Sequence, residues 1–123
     1  MIALEDLKMY QLAMEIGDDI WVLVSVWPHF VKDTLGKQIT RSADSIALNI
    51  AEGYGRFHFK ENKNFCYYAR GSNMETKSAL QKAKTRNLIT DEQYVIINNK
   101  QILLHKVMNA YIKSIGKLKQ NDE

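Results

Sequence analysis

The chain has 123 residues, a net charge of +3, 46% hydrophobic and 25% charged side chains, one proline and one cysteine. That length fits one domain able to bury about two-thirds of its unfolded surface without a disulfide or metal staple. The lone Cys66 excludes an internal disulfide and points to a reducing compartment, and the scarcity of proline leaves long stretches free to run as helix.

The opening Met1-Ile2-Ala3-Leu4-Glu5-Asp6 lacks the basic and apolar regions of a signal peptide. The longest apolar candidate, from Ile20 to Trp27, is cut short by Asp18 and Asp19 and is far too brief to span a bilayer. A cytoplasmic protein without membrane contact is expected. Charge is unevenly spread. Residues 1–36 carry Lys8 and Lys32 against Glu5, Asp6, Glu15, Asp18, Asp19 and Asp33, or −4. Residues 56–88 carry eight basic side chains against Glu61 and Glu75, or +6, and from Lys100 to Lys119 there are five lysines and no acid. This asymmetry suits an anionic partner or two complementary faces of a self-association. It also suits a plain solvated helix face.

Four helices follow from periodicity. The first is predicted over 5–27, with Leu7, Met14, Ile20, Leu23, Val24 and Trp27 forming its apolar stripe. Glu5 and Asp6 lie at the positive end of its dipole, and Pro28 ends it. The second is predicted over 33–54, where Leu35, Ile39, Ser42, Ile46, Asn49 and Gly53 alternate steps of four and three and Ile50 broadens the seam. Gly53 and Gly55 loosen its end, with Gly55 as a left-handed terminator. The third, over 59–86, keeps the rhythm with small residues: Phe65, Ala69, Ser72, Thr76, Ala79 and Ala83. Gly71 beside Ser72 suggests close approach of a neighbouring helix, and Asn87 can take the left-handed conformation that stops this one. The fourth, over 91–118, opens with a Thr90–Gln93 capping box and the acids Asp91 and Glu92. Tyr94, Ile97, Gln101, Leu104, Met108, Tyr111, Ile115 and Leu118 form its seam, Lys113, Lys117 and Lys119 suit its negative end, and residues 120–123 should fray. With short connections and no period-two alternation, the expected fold is all-α, an antiparallel up-down-up-down four-helix bundle.

Catalytic readings find little support. His29, His58 and His105 lack the spacing that places metal ligands on one helical face, so no metal or cofactor is expected. Cys66, among Phe65, Tyr67 and Tyr68, reads as a small buried hydrophobe with no base to activate it. Gly53-Tyr54-Gly55-Arg56 has neither the preceding strand nor the following Gly-Lys-Ser/Thr of a phosphate loop. Asn49 sits at a seam position, where a buried asparagine fixes register through a hydrogen bond. Glu52 can pair with Arg56 four residues on, or reach Arg41, Ser72 or Arg70 on another helix. Polar fastening between helices accounts for these groups better than a ligand site.

Bases alternate with aromatics from Arg56 through Phe57, Phe59, Lys60, Lys63, Phe65, Tyr67 and Tyr68 to Arg70. Cations neutralise phosphates and aromatic faces stack bases, so this stretch is a candidate nucleic-acid surface. Core packing of the aromatics beside solvated lysines would give the same pattern.

The run Leu35-x-x-Gln38-Ile39-x-Arg41-x-x-x-Ser45-Ile46-x-x-Asn49-Ile50-Ala51-Glu52-Gly53-x-Gly55-Arg56 resembles the signature of the four-helix bundle protein family, also called the 23S rRNA intervening-sequence protein family. Phe65-x-x-x-Ala69-x-Gly71-Ser72-x-x-Glu75 is similar to the family's third-helix motif, and Glu5-Asp6-Leu7 and Trp27-Pro28 also fit. Thr40, Ala47 and Asp44 depart from it, standing where a basic residue, a proline and a small apolar residue are usual. The resemblance covers nearly the whole chain. It implies an antiparallel four-helix bundle assembling into a homopentameric ring. Some members are encoded inside intervening sequences of bacterial large-subunit rRNA genes. Related accessory proteins of diversity-generating retroelements bind nucleic acid and work with a reverse transcriptase. The expected function is thus a non-catalytic, ring-forming accessory protein that binds RNA or DNA, with a reverse transcriptase as a further partner. Arg56, Lys60, Lys63, Arg70, Lys77, Lys84 and Arg86 would contact phosphates without base readout, and the alternative is a protein-interaction scaffold. Arg41, Ser45, Asn49, Glu52, Gly53, Gly55, Gly71, Ser72 and Glu75 are expected to be structural.

Overall fold

The computed structural model describes residues 2–56 and 58–122, with side chains through residue 115, and among these there are four long helices and no strand. The first helix, Lys8–Ser25, follows a 3-10 turn at Leu4–Asp6, so Glu5 and Asp6 precede it instead of filling its first turn. The second starts earlier than predicted. It opens as an α-turn at His29–Val31, widens into a π turn over Lys32–Gly36 and resumes α geometry over Lys37–Tyr54. Pro28 explains both boundaries, because the residue that cannot continue one helix has the fixed φ, here −59°, that suits the start of the next.

The third helix, Phe59–Thr85, stops at Arg86, and Asn87 takes the expected left-handed turn with φ 58°. The fourth, Asp91–Asp122, begins at the predicted box: the Gln93 N–H donates to Thr90 Oγ1 at 3.0 Å and the Thr90 N–H to Gln93 Oε1 at 2.9 Å. Leu118, Lys117, Lys119 and the fraying expected over 120–123 fall outside the described side chains, and Phe57 outside the described residues.

Cross-helix contacts fix the directions. Val24 meets Gly36 and Gly17 meets Asp44 between the first two helices. Ser42 meets Thr76, and Gly53 lies on Asn62, between the second and third. Asn62 bonds Tyr111 and Asn73 bonds Gln101 between the third and fourth. Asp19 pairs with Lys100 at 2.6 Å, and the Trp27 indole N–H donates to the Leu88 carbonyl, tying the first helix and its end to the fourth and its start. In each set one residue number rises as the other falls, so every neighbour runs antiparallel and the chain folds up-down-up-down. Ile16, Ile20, Ile39, Ile46, Ile50, Leu80, Leu104 and Met108 are fully buried at the centre. Each such side chain contributes about 1.5–3 kcal/mol.

Four expectations need correction. Met14 is 44% exposed, and the first helix buries Met9, Leu12, Ala13 and Ile16 instead. Asn49 is only half-buried and donates to the Ser45 carbonyl of its own helix at 2.9 Å, so it fastens no neighbour. Gly55 has φ −78°, ordinary right-handed geometry, and the helix ends without a left-handed residue. Gly71 is exposed with nothing within 4 Å of an added Cβ, and the close approach lies at Gly53, where a Cβ would meet Phe65 Cβ at 2.6 Å.

Candidate nucleic-acid interface

Lys63, Arg70, Lys77 and Lys84 recur every seven residues along the third helix. Seven residues are nearly two full turns, so the four share one flank with a slow drift. Contacts identify that flank as the one meeting the fourth helix. Arg70 donates to Asn109 Oδ1 at 2.9 Å, Lys77 shares a cavity with Asn98 and Gln101, and the Lys84 ammonium lies 4.6 Å from the Tyr94 ring centre. Lys60 extends the row by a turn. Tyr67 and Met74, 39% and 56% exposed, occupy the positions between the bases, so cations and apolar faces alternate along the groove.

The predicted bases are not equivalent. Arg56 is held by Glu52 at 2.6 Å, with Glu61 at 4.0 Å, and its guanidinium stands 5.2 Å from the Phe65 ring. Glu52 therefore pairs with the residue just past the end of its own helix and not with Arg41, Ser72 or Arg70. Lys84 has Asp91 at 3.9 Å. Arg70 stacks on Tyr67 at 4.9 Å while bonding Asn109. Lys60, Lys63, Lys77 and Arg86 have no carboxylate partner among the described residues, which leaves their charges open to an outside anion. Arg86 and Arg56 lie at opposite ends of the third helix, off the row. Of the fourth-helix lysines, Lys100 is neutralised by Asp19, whereas Lys106 has no acidic partner among the described residues.

A polar relay sets the far wall. A guanidinium only donates, so Asn109 must present Oδ1 to Arg70, and its Nδ2 then donates to His105 Nε2 at 3.1 Å. Deeper in, Gln101 is 2% exposed and Asn73 4%. Asn73 Nδ2 donates to the Gln101 carbonyl at 3.3 Å, and Gln101 Nε2 donates to both Asn73 oxygens at 3.0 Å. The groove opens there into a cavity of about 380 Å³, with Met74, Ile102 and Lys106 on its sides. The fourth-helix half of this site, Asn98, Ile102, His105, Lys106 and Asn109, did not follow from the basic stretch. The one signal was Gln101, a glutamine inside an apolar seam.

The opposite face differs in chemistry. Trp21, Val22, Val26 and Phe30 are 63–81% exposed at the end of the first helix and start of the second. Beside them a cavity of about 480 Å³ is lined by Trp21, Val24 and Gly36 with the cations Lys32, Lys37 and Arg41. Further along, the Asp44 carboxyl rests over Gly17, and its partial burial, followed by the charge of Asp18, raises its pKa above the ordinary value. Cys66 is fully buried, and burial pushes its thiol up to about 11, the opposite of what a nucleophile needs. Among the described residues no three His, Cys, Asp or Glu side chains gather as a metal site, and no helix is long and apolar enough to cross a membrane.

No curated protein matches the chain. It is similar to a crystal structure, at 1.70 Å resolution, of a protein of unknown function from the S23 ribosomal protein family of Bacteroides thetaiotaomicron VPI-5482. The two share 27% identity over 85% of this chain and 98% of that one, with a TM-score of 0.76. The family model for the 23S rRNA-intervening sequence protein matches residues 5–110, nearly the whole bundle, and the chain belongs to that family.

Proposed function

We propose that this protein is a non-catalytic, ring-forming accessory protein that binds RNA or DNA along the groove between its third and fourth helices. The observation that carries the reading is the row Lys60, Lys63, Arg70, Lys77 and Lys84 with Tyr67 and Met74 set between its members. Cations at helical spacing can follow a phosphate backbone, and the interleaved faces offer stacking. The family's description, which places it with intervening sequences of 23S rRNA, supports a nucleic-acid context. The exposed apolar face around Trp21 and Phe30 lies away from this groove and is the natural surface for self-association, which would repeat the groove around a ring and multiply a weak charge. A cytoplasmic location goes with this reading.

The test is binding of single- and double-stranded RNA and DNA across a salt titration. Log affinity should fall linearly with log salt, by about 0.7 per phosphate contacted on single strands and about 0.9 on duplex. Absence of binding at low salt, or a slope near zero, removes the reading. The second reading is a protein scaffold in which the basic third helix docks on an acidic protein or on the acidic first helix of a neighbouring copy, favoured by the opposite charges of residues 1–36 and 56–88. Charge reversal at Lys60 and Lys63 separates the two. On the first reading nucleic-acid affinity drops while sedimentation is unchanged; on the second, assembly itself weakens.

A further inference from the structure

The cavity beneath the groove has an unbalanced lining. Gln101 Nε2 donates to the Asn73 main-chain carbonyl, which can only accept, so the orientation of the Gln101 amide is fixed. Oε1 is the atom left over, buried and without a hydrogen-bond partner, and Asn98 Oδ1 is in the same condition. The Gln101 acceptor is thus fixed at the floor without a donor, with the Asn98 amide beside it, a condition that native interiors avoid unless something satisfies it. The rest of the lining is Asn73 and His105, two cations and two apolar side chains. Lys77 and Lys106 have no acidic partner among the described residues, and Met74 and Ile102 are 56% and 47% exposed. A matching ligand carries N–H donors on a flat body and a negative charge at one end.

We infer that this cavity takes one nucleotide, its base between Met74 and Ile102, its amino edge toward Gln101 and Asn98, and its phosphate against Lys77 and Lys106. The volume, about 380 Å³, lies within the range of small-ligand sites. Adenine, cytosine and guanine carry an exocyclic amino group with two donor hydrogens, whereas uracil and thymine offer these acceptors a single N3–H flanked by two carbonyl oxygens that repel them. For a nucleotide within a strand the inference rests on the nucleic-acid reading above, and adds base preference to a row that otherwise touches phosphates alone. A free nucleotide has the same chemistry.

The experiment titrates the full chain, at one fixed salt, with oligo-A, oligo-C and oligo-U of about ten nucleotides and separately with AMP and UMP. Oligo-A and oligo-C should bind about tenfold more tightly than oligo-U, a difference of about 1.4 kcal/mol. Gln101→Leu should erase the ratio while leaving the salt slope in place. Because Gln101 is buried, Ile102→Trp at the exposed rim provides a second variant that fills the cavity without changing charge, with the same expected loss. Equal affinity for the three oligomers with an intact salt slope overturns the cavity but not the phosphate row. AMP binding over UMP with no oligomer binding keeps the cavity, identifies the free nucleotide as its ligand and overturns the nucleic-acid reading. No binding of any probe overturns both.

Discussion

Thr76 and Ser42 hold their hydroxyl oxygens 2.9 Å apart between the third and second helices, with both side chains almost wholly buried. Ser42 also donates to the Ile39 carbonyl, and Thr76 lies 2.8 Å from the Ser72 carbonyl, so neither hydroxyl lacks a partner. In an interior built from isoleucine and alanine this contact carries directional information that apolar packing lacks. Thr76→Val preserves shape and deletes the hydroxyl, and should cost about 1 kcal/mol in urea unfolding. Combined with Ser42→Ala, the total should be less than the two single losses together, because both remove one contact. Strict additivity would show that the hydroxyls do not act as a pair.

Two glycines should respond in opposite directions. A methyl at Gly53 would meet Phe65 Cβ at 2.6 Å, a backbone-anchored atom that cannot swing aside. Gly53→Ala should therefore destabilise by about 1–3 kcal/mol as the second and third helices are forced apart. Gly71 lies inside a helix with open space around it, so Gly71→Ala should stabilise by about 0.5–1 kcal/mol. Thermal unfolding of the two variants side by side checks the pair of signs.

Asp44 supplies a pH dependence. Its pKa is raised in the folded protein by burial and by Asp18, so the folded state holds its proton more tightly than the unfolded state does. The charged carboxylate is therefore a net cost at neutral pH. That cost is relieved as pH falls through the raised folded value, and is gone below the unfolded value of about 3.9. Asp44→Asn should raise the melting temperature at pH 7, with the gain shrinking as the buffer is acidified across that window. A gain that persists unchanged at pH 3 would assign the effect to packing.

Cys66 should be chemically silent. Full burial and a thiol near 11 leave almost no reachable thiolate at pH 8. Labelling by a disulfide reagent should wait on opening of the bundle, with a rate that follows denaturant concentration. Rapid labelling of the native protein would place Cys66 at an accessible surface.

The helices were legible because periodicity reports burial, and the caps because Thr90, Gln93 and Asn87 have few other uses in that context. Boundaries were read less well where a residue has two roles, as at Pro28, which ends one helix and begins the next. Small residues misled in both directions. Gly71 has the spacing of a close-approach site and is open to solvent, while Ala13, buried against the second helix, gives a weaker sequence signal than the bulkier Met14. A glycine at a seam and a glycine beside one differ by a single step of rotation, which sequence spacing resolves poorly. The basic row on the third helix was visible in its residues. Its partner wall was not, because Asn98, Ile102 and His105 become a site only when the third helix is laid beside the fourth.

The π turn at Lys32–Gly36 acts as a phase shifter. There the Lys37 N–H bonds to the Lys32 carbonyl, five residues back, so the helix accommodates one residue more than regular winding allows. Everything upstream, including the exposed Phe30, is rotated relative to the Ile39–Ile50 stripe by that surplus. The second helix thus keeps a regular interior while presenting its first turn at an angle that no regular heptad would give. The apolar display at that end of the molecule is therefore set by local winding, with Leu35 of the same turn anchored in the core.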